Sequence, residues 1–198
     1  MARDFHSREG VEEWLDSLDE RWPQRGAVSQ HIVEEISQLP FAQPTVLELC
    51  CGGGRLGEKL LRALPALHYS GIDFSEPLLD CARKTLVPYA QRTTLIQADL
   101  NEDTWLKQID TPVHAIFSMQ SLHDLGDEAQ VERIYAKSLA LLKPGGLLLN
   151  ADFQHDPNDP RPGRLSTERH VQLLKKHGYQ RVDISLVAGR FASSIGFA

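Results

Sequence analysis

Apolar residues recur at helical spacing in the first forty positions of the chain. They follow an i, i+3, i+4, i+7 pattern over residues 7–20 and again over residues 27–39, which predicts two amphipathic helices. Pro23 and Gly26 separate the two helices. The apolar positions are Val11, Trp14, Leu15 and Leu18 in the first helix, and Val28, Ile32, Val33, Ile36 and Leu39 in the second.

Beyond Pro44, short apolar runs alternate with amphipathic segments. A first strand begins at Thr45; the later strands are predicted at 69–73, 93–98, 113–119 and 147–153, and helices at 56–64, 77–89, 127–142 and 166–177, with one more starting at Glu102. Segments 182–187 and 191–197 flank Gly189 and predict a closing hairpin. Alternating strands and helices predict a parallel sheet covered on both faces, to which the hairpin adds an antiparallel strand.

A glycine-rich turn follows the first strand. Glu48 lies near the end of that strand, Gly52–Gly54 come next, and a helix-forming segment starts immediately after them. Glycine accepts a positive φ at little cost, and without a Cβ it lets a ligand lie against the backbone. The order of strand, tight turn and helix therefore predicts a cofactor cradle.

Two spacings compete within this turn. Gly52, Gly54 and Gly57 match the dinucleotide fingerprint G-x-G-x-x-G, in which backbone N–H groups hold a pyrophosphate. Glu48, Cys50, Gly52 and Gly54 instead fall at every second residue, as in the motif E/D-x-G-x-G-x-G. Through that motif the sequence resembles the class I S-adenosylmethionine-dependent methyltransferases, with Cys50 where the first glycine is usual.

Four later features strengthen the resemblance, which covers residues 45–198. They are Asp73 after the second strand, Asp99 after the third, a polar turn from Ser118 to Leu125 after the fourth, and the segment Leu142–Gly146 before the fifth. The resemblance implies an α/β fold, a three-layer Rossmann-like sandwich whose seven-stranded sheet is mostly parallel with an antiparallel C-terminal strand. Residues 1–43 would form a helical lid segment and residues 44–198 the S-adenosylmethionine-binding core of a single domain.

The resemblance also implies which residues bind the cofactor. Glu48 would serve the methionyl amino group, directly or through water, and Asp99 the adenine amino group, although Asp99 also suits a plain capping role. Asp73 follows Gly54 by 19 residues, an offset that suits hydrogen bonds to a ribose diol in either candidate cofactor. Cys50 would keep an allowed φ and point its side chain away from the ligand. The implied cofactor set is Glu48, Cys50, Gly52, Gly54, Asp73, Phe74, Asp99, Leu100 and Met119.

Substrate contacts are expected at two places. Gln120 and His123 follow the fourth strand at the edge where open α/β sheets bind ligands, and Arg21 and Trp22 lie in the link between the first helices. His123 is the candidate catalytic base because imidazole titrates near neutral pH, so an acidic limb of the rate profile is expected near its ordinary pKa. The alternative is a histidine that only packs or hydrogen-bonds.

The predicted reaction is methyl transfer from S-adenosylmethionine to an O, N or S nucleophile of a small molecule, leaving S-adenosylhomocysteine. Two alternatives stay open: an S-adenosylmethionine-binding protein with a regulatory or non-methylating role, and an NAD(P)-dependent oxidoreductase. No Asn-Pro-Pro-aromatic tetrad follows the fourth strand, which counts against methylation of a nucleobase amino group.

The composition of the chain limits the classes of partner that we expect it to bind. The 198 residues carry a net charge of −6, and Lys and Arg are spread along the chain, so the sequence lacks a basic surface for nucleic acid. No apolar run approaches the roughly 20 residues of a membrane span, and the N-terminus lacks a signal pattern, so we expect a cytoplasmic monomer or homodimer.

Neither a disulfide framework nor a metal site is expected. The three cysteines are odd in number and two of them are adjacent, which indicates reduced thiols. His155, Asp156 and Asp159 could be drawn as a metal site, but their proline-rich loop is interpreted as solvated surface.

Overall fold

A seven-stranded sheet forms the centre of the computed structural model, which describes residues 7–110, 112–156 and 163–198. The strands are β1 (Thr45–Leu49), β2 (His68–Asp73), β3 (Thr93–Gln97), β4 (Val113–Met119), β5 (Leu142–Phe153), β6 (Gln180–Ala188) and β7 (Phe191–Phe197). Their spatial order is β3-β2-β1-β4-β5-β7-β6. Strand β7 pairs antiparallel with both β5 and β6, and the other four pairs of these strands are parallel. The predicted α/β fold with one antiparallel C-terminal strand is confirmed.

Six α-helices flank the sheet in the described ranges. They are α1 (Arg8–Arg21), α2 (Arg25–Ser37), α3 (Arg55–Ala63), α4 (Glu76–Thr85), α5 (Glu128–Leu141) and α6 (Thr167–Lys176). Side chains of Ser7, Ser75, Asp127 and Ser166 cap four of them by accepting backbone N–H bonds. Within those ranges, no helix combines the length and the apolarity that a membrane crossing requires.

Two predicted helices differ from the structure. The helix expected to reach Tyr89 ends at Thr85 and is followed by a 3₁₀ helix, Val87–Arg92, because Pro88 has no N–H to continue the ladder. The helix expected from Glu102 is wrong: that segment forms a short 3₁₀ helix, Thr104–Gln108. Its Trp105 is completely buried against the sheet, so tertiary packing rather than helix propensity sets its path.

Each face of the sheet has its own apolar core because successive side chains of a strand point to opposite sides. In β1, Val46 packs with α2 and α3 on one face, whereas Leu47 and Leu49 pack with α5 and α6 on the other. The alternation places Glu48 on the same face as Val46. The acid at the end of β1 is thereby buried beneath α2 and α3.

Helix α1 lies across the glycine turn. Its apolar residues form a small separate cluster with Leu78 of α4, and Arg55 of α3 donates hydrogen bonds to the Leu15 carbonyl (2.8 Å) and to Asp16 (2.9 Å). A Cβ on Gly53 would stand 2.8 Å from Leu15 Cδ1, so α1 packs directly on bare backbone. This position suits the predicted lid, whose residues 1–6 lie outside the described residues, and a lid role stays a prediction.

Helix α3 and strand β2 pack closely where Gly57 faces the Tyr69 ring. A Cβ at Gly57 would lie 2.5 Å from Tyr69 Cζ, so Gly57→Ala forces the ring to move and should lower the free energy of unfolding by about 1–3 kcal/mol. Gly26→Ala is the matched control, since Gly26 also lies in the first turn of a helix and no atom would meet its Cβ within 4 Å. Urea unfolding of both variants measures the difference. Equal midpoints would contradict the packing described for Gly57.

Candidate active site

The Asp73 carboxylate connects the glycine turn to the end of β2. Its Oδ2 accepts a hydrogen bond from the Gly52 N–H (2.9 Å), and its Oδ1 accepts one from the Ser75 N–H (3.0 Å). Burial raises the pKa of Asp73, and these backbone hydrogen bonds oppose the rise. Asp73 therefore holds the turn in place, and it also lines the cavity above the turn.

Cys50 occupies the position where the resembling family usually has glycine, and its backbone explains that preference. Its φ is 55°, inside the small left-handed region that favours glycine. The φ of Cys50 is therefore allowed, as expected, but it lies in the left-handed region rather than in the β or right-handed α region. The thiol packs against the core beside α5 and α6 and hydrogen-bonds with Ser121, and burial raises its pKa, so it is a neutral thiol.

A cavity of about 890 Å³, mouth included, opens above the carboxyl ends of β1, β2 and β4. Helices α1 and α2 contribute one side and the glycine turn the floor. The cavity brings together seven residues that the sequence indicated: Glu48, Cys50, Gly52, Asp73, Phe74, Met119 and Gln120. The predicted grouping around the turn therefore has a concrete counterpart in the structure.

The other predicted site residues do not line this cavity. Asp99 is exposed and accepts a hydrogen bond from the Asn101 N–H (2.8 Å), while Leu100 is buried in the core on the α5 side. Arg21 is exposed at the end of α1, and the Trp22 ring packs 4.8 Å from the Phe153 ring. Gly54, with a φ of 75°, is the N-cap of α3. Ligand roles for all of them stay predictions.

Glu48 is the most strongly perturbed acid of the cavity. Burial raises its pKa to about 8, and a hydrogen bond from the Tyr69 hydroxyl to its Oε2 (2.6 Å) opposes the rise. The carboxyl group is therefore largely protonated at pH 7. A cation placed beside it would favour the ionised form and release the proton.

Arg25 is a cavity residue that sequence reasoning missed. Its side chain is only 12% exposed; it lies 3.5 Å from Asp19 and donates a hydrogen bond to the Gln120 amide oxygen. The atom closest to Asp19 is the buried Nε, which makes no hydrogen bond of good geometry within the described ranges. The available signal was a cation at the first position of α2, where the helix dipole disfavours positive charge and the first turn offers no acid.

His123 is buried behind the cavity wall and pairs with Asp152 at the end of β5. Its Nδ1 lies 2.6 Å from Asp152 Oδ1, and its backbone N–H donates to Oδ2 of the same carboxylate (3.1 Å). Its Nε2 is buried 3.3 Å from Asp124 Oδ2 without a hydrogen bond of good geometry. Burial alone would lower the pKa of His123, but Asp124 and Asp152 outweigh it and raise the pKa to about 9. Ser121, Asp124 and Leu125, its neighbours in sequence, line the cavity.

No cluster of three metal-ligating side chains occurs in the parts of the chain that the structure describes. His155 Nδ1 hydrogen-bonds the Arg164 carbonyl (3.1 Å), and Asp156 lies 3.5 Å from Arg190. Asp159, the third residue of the metal site considered from sequence, lies outside the described residues.

This chain matches one protein-family model and is similar to several individual proteins. The sequence model of the methyltransferase-domain family matches residues 46–146. A demethylmenaquinone methyltransferase from Leptospira interrogans is 30% identical over 122 residues, which are 62% of this chain and 48% of that protein. A ubiquinone biosynthesis O-methyltransferase from Xylella fastidiosa is 32% identical over 147 residues, 74% of this chain and 56% of that protein.

A solved structure extends the comparison to nearly the whole chain. An O-methyltransferase family protein from Burkholderia thailandensis matches with a TM-score of 0.76 at 20% identity, covering 97% of this chain and 60% of that one. The chain spans about half the length of the curated relatives it matches. Because the family match covers the glycine turn, the acids after β2 and β3 and the turn after β4, this chain belongs to the class I S-adenosylmethionine-dependent methyltransferases.

Proposed function

We propose that this chain transfers the methyl group of S-adenosylmethionine to a hydroxyl oxygen of a small molecule, with His123 as the base. The observation that carries the proposal is the buried pair of His123 and Asp152, 2.6 Å apart, at the carboxyl ends of β4 and β5 beside the cavity. A histidine held by a carboxylate through one ring nitrogen can take a proton on the other.

The residues of the cavity fit the cofactor of the family. The methionyl end of S-adenosylmethionine carries an ammonium and a carboxylate, and the cavity offers two buried acids, Glu48 and Asp73, and the cation Arg25, whose side chain is 12% exposed. Asp73 can accept hydrogen bonds from the ribose diol. When bound, the cofactor supplies a methyl group activated by a positively charged sulfur. The Arg25 Nε lies 3.5 Å from Asp19 Oδ1 without a hydrogen bond of good geometry, so a ligand carboxylate beside it would supply a better acceptor.

A base beside the cavity favours an oxygen nucleophile over a nitrogen or sulfur nucleophile. A thiolate or a neutral amine needs no proton removed before it attacks, whereas a hydroxyl of high pKa does. Asp152 holds Nδ1 of His123, so Nε2, which lies 3.3 Å from Asp124 Oδ2 on the side of the cavity wall, is the nitrogen that would accept that proton, and the raised pKa makes the imidazole a stronger base than an exposed histidine.

A small acceptor is supported by the relatives, whose names include a ubiquinone biosynthesis O-methyltransferase and a demethylmenaquinone methyltransferase. Their acceptors differ from one another, so acceptor identity does not transfer to this chain. The mouth of the cavity is bordered by α1, whose Trp14, Leu15 and Leu18 give it an apolar wall suited to a partly apolar molecule.

Glu48 provides a prediction on cofactor binding. Binding of S-adenosylhomocysteine at pH 7 should release close to one proton, because the ligand ammonium favours the ionised form of a carboxyl whose pKa is about 8 in the free protein. Calorimetry in two buffers of different ionisation enthalpy measures the release. Glu48→Gln should abolish it, and Glu34→Gln, which changes an exposed acid on α2, should retain it. Equal proton release from the wild type and Glu48→Gln would contradict the assignment.

His123 provides the test of the reaction itself. Purified protein is screened with labelled S-adenosylmethionine against pooled hydroxylated metabolites, and the rate on the acceptor found is measured against pH. Because a base must be neutral to take a proton, the rate should rise with pH up to about 9, above the ordinary imidazole range expected from sequence.

Substitutions at His123 and Asp152 test whether this pair acts in the reaction or only in the structure. His123→Ala should lower turnover by roughly 10²-fold or more while leaving S-adenosylhomocysteine affinity nearly unchanged. Asp152→Asn should move the acidic limb to lower pH, since it removes a carboxylate that raises the His123 pKa. His177→Ala, which alters a histidine paired with Glu132 away from the cavity, is the control. Full turnover with an unaltered pH profile in His123→Ala would show that this histidine is structural.

A further inference from the structure

A continuous chain of hydrogen bonds runs from the cavity wall to a buried histidine on α6. Ser121 Oγ, at the cavity, lies 2.9 Å from Ser118 Oγ, and Ser118 lies 3.2 Å from the Asn150 Oδ1. The Asn150 Nδ2 donates to the Tyr135 hydroxyl (3.1 Å), which lies 2.8 Å from His170 Nδ1.

The middle of this chain is sealed inside the protein. Ser118 and Asn150 are direct neighbours on β4 and β5, and together with Tyr135 they are at most 1% exposed. Ser194 on β7 faces Asn150 and directs its hydroxyl toward the Asn150 carbonyl (3.5 Å). Because an unpaired polar group in such a place is costly, each hydroxyl must direct its hydrogen in agreement with its neighbours.

A neutral His170 orders the chain in one direction. With Nδ1 unprotonated, the Tyr135 hydroxyl donates to it and accepts from the Asn150 amide nitrogen. The Asn150 amide oxygen then accepts from Ser118, and Ser118 accepts from Ser121. The hydrogen of Ser121 is then directed to Ser118, so Ser121 offers only lone pairs, one to the neutral Cys50 thiol beside it and one to the cavity.

Protonation of His170 reverses that order. An Nδ1–H must donate to the Tyr135 oxygen, which turns the Tyr135 hydroxyl toward Asn150 and requires the amide to rotate by half a turn. The amide nitrogen then donates to Ser118, and Ser118 donates to Ser121. The Ser121 hydroxyl is freed to donate into the cavity.

The surroundings of His170 favour the neutral order near neutral pH. The groups that face it are the Tyr135 hydroxyl on α5, the Asp152 carboxylate on β5 and the Glu128 carboxylate on α5, whose ion-pair partner is Arg169. Burial lowers the pKa of His170, and the two carboxylates only partly offset it. The switch in order therefore belongs to acidic pH.

We propose that Tyr135, Asn150 and Ser118 are positioning residues that carry the protonation state of His170 to the cavity and hold Ser121 as a hydrogen-bond acceptor while His170 is neutral. The ligand group that Ser121 serves is a donor, such as an ammonium or a hydroxyl. This assignment rests on the proposed function, because it takes the cavity to be the cofactor site.

The first arm of the test needs no ligand. In protein labelled with ¹⁵N-histidine, the His170 signal is identified by its loss in His170→Gln. At pH 7.5 we expect the tautomer with unprotonated Nδ1, and Tyr135→Phe, which removes the donor to Nδ1, should shift its nitrogen resonance. A signal from the Nδ1–H tautomer in the wild type would overturn the proposal.

The second arm measures S-adenosylhomocysteine affinity by calorimetry at pH 5 and pH 7.5. Acidification should weaken binding by an additional two- to tenfold, roughly one hydrogen bond, in the wild type compared with His170→Gln, whose amide oxygen remains an acceptor at both pH values. Tyr135→Phe should also lose the additional factor, and His177→Gln should keep it.

The outcomes separate the two proposals. Normal affinity with the same pH response in the wild type and His170→Gln would overturn the hydrogen-bond chain alone. Absence of S-adenosylhomocysteine binding by the wild type at both pH values would overturn the proposed function, and with it the assignment of Ser121.

Discussion

The hydrogen bonds between Asp73 and the backbone N–H groups of Gly52 and Ser75 are the constraint on which the site depends. They fasten the loop after β1 to the loop after β2, so the two strand ends present one surface. The left-handed backbone of Cys50 and Gly54 is held in place by this connection, and α3 starts where the turn ends. A carboxylate can be buried here because each of its oxygens has a backbone donor.

Around this turn the fold collects ionisable groups whose protonation is set by burial and by one or two close partners. Tyr69 stabilises the charged form of Glu48, which burial alone would disfavour even more strongly. Arg25 is balanced by Asp19, and His123 is charged because two carboxylates outweigh its burial. An acid and a cation in one cavity suit a zwitterion, and a base behind the wall suits proton removal. The proposed chemistry follows from these pairings rather than from any residue alone.

Much of the fold could be predicted because it depends on local patterns. The bounds of β4 and the last strand match the predicted residues, and Ser166 caps a helix where the sequence indicated a start. The site was predicted less completely. Glu48 and Asp73 could be predicted because each lies at the end of a strand. Asp152 becomes the partner of His123 only because β5 lies beside β4. Arg25 contacts Gln120 only because the fold packs α2 against the end of β4. The φ of Cys50 also depends on the closed turn and not on its residue type.

In the proposed function the cavity binds an amino-acid zwitterion and a ribose rather than a pyrophosphate. Burial raises the pKa of Glu48 to about 8, so this carboxyl gains a partner for its ionised form from an ammonium but not from a pyrophosphate, which separates the methyltransferase motif from the dinucleotide fingerprint that Gly52, Gly54 and Gly57 also match. Calorimetric titration of the purified protein with S-adenosylhomocysteine and, separately, with NADH tests this most directly. We expect saturable binding of S-adenosylhomocysteine and no measurable binding of NADH; tight NADH binding with no response to S-adenosylhomocysteine would show that the cavity is a dinucleotide site.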